Sequence, residues 1–214
     1  MTISAIANSG PNLDFIEVYP LGDEAQGIAR VAVDNSYMFY VNNRLVGQGT
    51  DWSVTDTWQF NAECSSPTVY AIHANDAEVT TQGVGGIVAD IAHCGESILS
   101  SEKWKCTAVN TPYMTAPPEQ WNEPTFNDQQ WESAIALGKN GEGVWNSVKG
   151  GPEDGISRSA DWIWTSDNEG HNDIYCRYVS THEPINCRAA ADRYWHDYGD
   201  VAQANYPAWE HFQQ

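Results

Sequence analysis

Tyr37 to Val41 is a short strand-like run, Asn42-Asn43 interrupts it, and Arg44-Leu45-Val46 resumes it. Two asparagines between two short runs have the spacing of a tight β-hairpin, because asparagine tolerates the positive φ such turns need. A chain that reverses here is committed to antiparallel pairing. Similar segments recur on both sides. Leu13 to Tyr19 alternates apolar and acidic residues after Gly10-Pro11-Asn12, and Ala29 to Val33 is broken by Asp34-Asn35-Ser36. Thr55 to Phe60 and Thr68 to Ala74 continue the series, and Gly85 to Ala92, the most apolar segment, is expected to be central. Asp161 to Thr165 and Asp173 to Val179 restore the pattern later. Frequent short strands with turn residues between them predict an all-β fold, an antiparallel β-sandwich.

Two stretches break the rhythm. From Ser100 to Ser159, Pro, Gly, Asn and Trp dominate and clean alternation is lost. A loop of that length inside a compact domain is either structure without a plain signal or a functional surface. Near the end, Ala191, Tyr194, Trp195, Tyr198 and Val201 recur at helical steps after Asn186, which can cap them, and Pro207 can begin a second short helix over 208–212. The domains read as 1–182, the sandwich with long Trp-rich loops, and 183–214, a small α-helical C-terminal appendage.

Charge narrows the partners. The 214 residues carry 29 acids against 10 bases, a formal charge of -19. That excess repels phosphate backbones and anionic lipid, so nucleic acid is excluded as a partner and calcium is the natural counter-ion. No apolar run reaches the roughly 18 residues that suggest a membrane span, so no membrane insertion is expected. Residues 1–8 lack the basic and apolar parts of a leader, so a secreted protein would have lost its leader or begin within a longer chain. The five cysteines, Cys64, Cys94, Cys106, Cys176 and Cys187, lack CxxC spacing and read as disulfide partners, which points to an extracellular, secreted location. Cys94 and Cys106 could close a hairpin-like loop, and the odd count leaves one thiol free, bridged to another chain, or paired with a cysteine of a longer chain from which this one is taken.

Chemistry-bearing motifs are missing. The six histidines include no HExxH pair, and neither a GxSxG elbow nor a phosphate-binding glycine loop occurs. Acids are numerous enough to supply any carboxylate pair, so their presence decides nothing about glycosidase chemistry. The chain reads as a binding protein, not an enzyme. Calcium takes six to eight hard oxygen ligands. Asp34, Asn35, Asp76 and Glu78 lie beside predicted strand ends and are the metal candidates; ordinary turn hydrogen bonding is the competing reading. Asp51 is a further candidate, and the cluster Asp167 to Asp173 lacks the residue order of an EF-hand. A pyranose needs a flat apolar platform with polar groups beside it. Trp52, Trp121, Trp131 and Trp145 sit in polar, turn-rich surroundings and are the carbohydrate-binding candidates, against a competing reading as rings that pin loops to the sandwich. Alternation places Trp162 and Trp164 together on a core face.

VAVDNSYMFYVNNRLVGQGTDW, Val31 to Trp52, resembles the strand-turn-strand core of galactose-binding-like jelly-roll domains, with Asn43 where glycine is usual. EQWNEPTFNDQQWESA, from Glu119, and ADWIWTSDNEGHNDIYCRYVS, from Ala160, look like Trp-containing segments of the jelly-roll modules attached to rhamnosidase-type glycoside hydrolases. GPNLDFIEV is similar to the closing strand of calcium-binding sugar-recognition modules, and the segment from Arg193 to Gln214 to a short helical repeat of extracellular bacterial and algal proteins. The resemblance implies a jelly-roll, lectin-like, non-catalytic extracellular domain that binds a glycan or polysaccharide, often with Ca2+ in its loops. Any catalytic carboxylates would belong to a neighbouring domain. The alternative is a structural subunit of an extracellular fibre, matrix or adhesive, a homo-oligomer or fibre assembled through sheet edges, the tail or a disulfide.

Overall fold

A computed structural model describes residues 24–77, 85–109, 118–168 and 170–181. The strand expected at Leu13 to Tyr19 and the helical appendage expected over 183–214 lie outside them; the chain divides after His182. The described elements run β1 (Glu24–Asp34), β2 (Ser36–Val41), β3 (Arg44–Gly49), β4 (Asp56–Glu63), β5 (Thr68–Asn75), β6 (Gly86–His93), β7 (Glu96–Leu99), β8 (Lys105–Ala108), β9 (Glu132–Ser133), β10 (Ile135–Lys139), a short helix α1 (Gly143–Lys149), β11 (Asp161–Trp164) and β12 (Asp173–Ser180).

These strands form two antiparallel sheets. One has the order β10-β11-β6-β1-β4, with β7 also paired to β6; the other has the order β3-β2-β5-β12-β8-β9. From β1 to β6 the chain crosses between the sheets at every step except the β2–β3 hairpin, so β1 pairs with β6 in one while β2 pairs with β5 in the other. The expected hairpin is present: Val41 opposes Arg44, and Asn42 and Asn43 take φ of 47° and 64°. Gly85 to Ala92 corresponds to β6, which has strand neighbours on both sides.

The sheets close on a core in which inward residues alternate along each strand. Ala29, Val31 and Val33 of β1 meet Phe39, Tyr70, Ile72 and Ile174 of the opposite sheet. Gly27 is required where it stands: it opposes Phe60 across β1 and β4, and a Cβ there would fall 2.2 Å from that ring.

Alternation alone does not account for β5, whose residues from Thr68 to Ile72 are all buried. Its outer face is covered as well. Val69, Ala71 and Tyr175 pack under Trp121 and Trp131, carried by the chain between β8 and β9. On the other sheet, Ala32, Val88 and Trp162 pack under Trp145 and Ile156, carried by the chain between β10 and β11. The long Trp-rich stretch is therefore largely a pair of covers over apolar sheet faces, with β8, β9, β10 and α1 inside it. Each cover is fastened by a buried polar residue. Asn140 donates to the carbonyls of Ile156 (2.9 Å) and Glu153 (3.3 Å) and accepts from the Glu153 N–H (2.7 Å). Arg177, 1% exposed, pairs with Asp128, donates to the Glu123 carbonyl at 2.8 Å and lies over the Phe126 ring.

Two expectations are corrected here. Cys94 and Cys106 do not pair with each other: Cys64 bonds Cys94, and Cys106 bonds Cys176. Cys94 lies in the turn after β6 in one sheet, whereas Cys106 lies in β8 of the other, directly opposite Cys176 on β12. Cys187 is outside the described residues. Trp162 and Trp164 also separate. Trp162 stacks on Trp145 at 4.5 Å on the outer face, while Trp164, at the end of β11, joins the core between the sheets and donates to the His171 carbonyl.

Candidate functional site

Strand register brings several connections to one end of the sandwich. Asp34 opposes Gly86, Ser36 and Asp173 both oppose Asn75, and Tyr37 opposes Gly49. The Asp34–Asn35 turn, whose peptide is cis, thus meets the start of the β5–β6 connection. The Asn35 N–H donates to the Asn75 carbonyl at 3.0 Å, and its side-chain Oδ1 accepts from the Ala77 N–H at 2.7 Å. Its Nδ2 donates to Asp34 Oδ1 at 2.5 Å, and Asp76, 4% exposed, donates its N–H to the Asn172 carbonyl at 2.8 Å. Nearby, His73 Nε2 lies 2.5 Å from Asp173 Oδ1, and the imidazole stacks on Tyr175 at 4.3 Å.

Three of the four metal candidates, Asp34, Asn35 and Asp76, therefore reach one corner; Glu78 lies outside the described residues. The corner supplies two carboxylates, and the Asn35 amide oxygen already accepts a backbone N–H. Among the described residues, three His, Cys, Asp or Glu ligand atoms converge only at Cys64, His93 and Cys94, whose cysteines are bonded to each other. The two carboxylates supply only part of the six-to-eight-oxygen shell that calcium takes.

The sugar-platform candidates divide. Trp52 is 37% exposed in the loop after β3, at the same end of the sandwich. Trp121, Trp131 and Trp145 are buried: Trp121 stacks on Trp131 and meets the edge of Tyr175, and Trp145 stacks on Trp162. Their faces are spent on the covers, because the outer faces of β5, β12, β1 and β6 are themselves apolar.

The flank of the sandwich offers a site that sequence reasoning did not find. Edge strands β3 and β4 belong to different sheets, and between them opens a cleft of about 190 Å³ lined by Val41, Arg44, Leu45, Val46, Gln59, Phe60 and Asn61. Next to it, the Trp58 indole lies over Gly47, where a Cβ would fall 2.2 Å from the ring. Trp58 Nε1–H donates to the Tyr37 hydroxyl at 2.9 Å, and that hydroxyl donates to Asp56 at 2.7 Å. Burial, with the Asp56 carboxylate adding to it, pushes the Tyr37 phenol up, so it stays a neutral donor. This network holds the two edges in fixed relation. Alternation along β4 reveals that Gln59 and Asn61 are exposed, but not that they line one cleft with Arg44 of the other sheet.

No family model matches the chain, and no curated protein matches it. Among solved structures, two of a lectin from Pleurotus ostreatus are similar. The apo form is 27% identical and a complex with GalNAc is 29% identical, each with a TM-score of 0.49 and 71% of this chain covered. The match covers 44% of those chains, so this chain spans less than half of their length.

The chemistry of the cleft follows from its lining. The lining is mainly polar, from Arg44, Gln59 and Asn61 at the rim, with a small apolar share from Leu45 and Val46 beside the buried Val41 and Phe60. None of the three rim side chains makes a hydrogen bond or ion pair among the described residues. The lining has neither a hydroxyl or thiol nucleophile nor a carboxylate or imidazole to move a proton. It is equipped to hold a ligand.

Proposed function

We propose that this chain is a non-catalytic, lectin-like, extracellular carbohydrate-binding domain, with the β3–β4 cleft as its sugar site. The observation that carries the proposal is the cleft itself: a small, mainly polar recess lined by Arg44, Gln59 and Asn61, none of which has a side-chain hydrogen bond among the described residues, suits a ligand rich in hydroxyls. The jelly-roll resemblance of Val31 to Trp52 supports the reading, since that segment contains β2, β3 and the turn between them. Two disulfides within one sandwich support an oxidising, extracellular setting. Calcium is proposed as an adjunct at the Asp34–Asn35–Asp76 corner.

A glycan array followed by titration calorimetry tests the sugar reading. A bound glycan should lose affinity at least about tenfold in Gln59→Ala/Asn61→Ala, the loss of one or two net hydrogen bonds. A folded protein that binds no glycan, with or without calcium, overturns it. For the metal, Ca2+ should raise Tm and EDTA should reverse the rise; an unchanged Tm removes calcium from the account.

A further inference from the structure

We infer that the β3–β4 cleft selects a saccharide bearing a single carboxylate, with Arg44 as the specificity-determining residue; this rests on the carbohydrate reading of the same cleft. Arg44 begins β3 immediately after the Asn42–Asn43 turn, and that turn is tied down on both sides. The Asn42 N–H donates to the Val69 carbonyl at 3.0 Å, Asn42 Oδ1 accepts from the Val69 N–H at 2.8 Å, and the Asn43 N–H donates to the Asn122 carbonyl at 2.8 Å. The backbone that presents the guanidinium is thus fixed by β5 and by the cover over the second sheet.

The guanidinium is also uncommitted. Lys139 pairs with Asp161 and Arg177 with Asp128, whereas Arg44, like Arg30, Lys103, Lys105 and Arg158, has no ion pair among the described residues; of these bases Arg44 is the one that lines the cleft. An arginine donates only, and Gln59 and Asn61 each add an NH2 group and one carbonyl, so the rim has far more donors than acceptors. A neutral sugar, whose hydroxyls donate as well as accept, would leave much of that capacity unused. A carboxylate only accepts, and its two oxygens match the guanidinium fork. Gln59 and Asn61, two apart on one edge strand, can then take the ring hydroxyls.

The charge of the whole molecule limits the ligand further. At -19 the protein repels polyanions, so a sulfated or polyuronate chain is disfavoured, while an isolated monoanion within reach of Arg44 is held by a local charge that distant acids, screened beyond about 8 Å, do not cancel. A uronic acid and a terminal sialic acid share this chemistry.

Titration calorimetry with methyl β-D-glucuronide, methyl β-D-glucoside, the glucuronide methyl ester and the methyl glycoside of N-acetylneuraminic acid tests the inference. A carboxylate-bearing probe should bind about tenfold or more tighter than the neutral glucoside and the ester, the range of a charged hydrogen bond. Which acid binds tighter identifies the source. Arg44→Gln should abolish the preference for the acid over its neutral counterparts, and Arg44→Lys, which keeps the charge and loses the fork, should fall between. Because Arg44 is exposed, both variants should keep the wild-type Tm. Equal binding of acid and neutral probes, or a preference that survives in Arg44→Gln, overturns the inference and leaves the sugar reading standing. Binding of none of these probes, nor of any arrayed glycan, overturns both.

Discussion

Tyr175 shows how one residue serves packing and electrostatics together. It lies on the outer face of β12, under Trp121 and against His73, and is 5% exposed. Burial, reinforced by the Asp173 and Tyr40 side chains, pushes its phenol up to about 12. An unfolded tyrosine titrates near 10, so between those values the folded chain binds more protons than the unfolded one, and stability falls as pH rises. Tyr70 is displaced in the same direction. Its hydroxyl donates to His93 Nδ1 at 2.7 Å, because the other ring nitrogen donates to the Ala62 carbonyl. Stability should therefore be retained up to about pH 10 and decline progressively toward pH 12. Urea unfolding across that range should show the decline, and Tyr175→Phe should flatten part of it.

At the scale of elements, the two covers turn a two-layer sandwich into a chain with buried outer faces. The cover over the second sheet hangs on Arg177, which burial pulls below its usual range while Asp128 opposes the shift. Removing one partner of such a buried pair leaves the other charge and several loop carbonyls without their donor. Arg177→Met should lower the unfolding free energy by about 3 kcal/mol in urea titration. Amide exchange should quicken across 118–131 before the core strands, because the local cover loses its fastening first. Uniform quickening of every strand would instead mean that this cover and the sandwich unfold as one unit. The covers also explain why Trp121, Trp131 and Trp145 are poor sugar platforms. A polar, turn-rich neighbourhood in the sequence marks a loop, but it does not say whether that loop leaves the surface or lies down on it.

For the whole molecule, the disulfides close loops of different length in different sheets. Cys64 and Cys94 are separated by 30 residues and Cys106 and Cys176 by 70. Loop-closure entropy grows only with the logarithm of length, so each should contribute about 4 kcal/mol, with the longer loop ahead by less than about 1 kcal/mol. Guanidinium unfolding of Cys64→Ala/Cys94→Ala and Cys106→Ala/Cys176→Ala measures both contributions. A much larger loss in the second variant would point to core packing, since Cys106 and Cys176 are buried between the sheets.

The sequence by itself determined the class of fold and most strand positions, because a period of two and Asn-rich turns are local signals that neighbouring residues carry. The Asn42–Asn43 hairpin and the central place of β6 were legible for that reason, whereas the meeting of Asp34 and Asp76 at one corner was not. Tertiary structure decided what depends on residues far apart in the chain. It paired Cys106 with Cys176 through the β8–β12 register, laid the tryptophan loops over apolar outer faces, and set Arg44 on an edge strand of one sheet beside Gln59 and Asn61 on an edge strand of the other. No local pattern encodes which two sheet edges will flank a cleft, because that juxtaposition exists only after both sheets have closed on the common core.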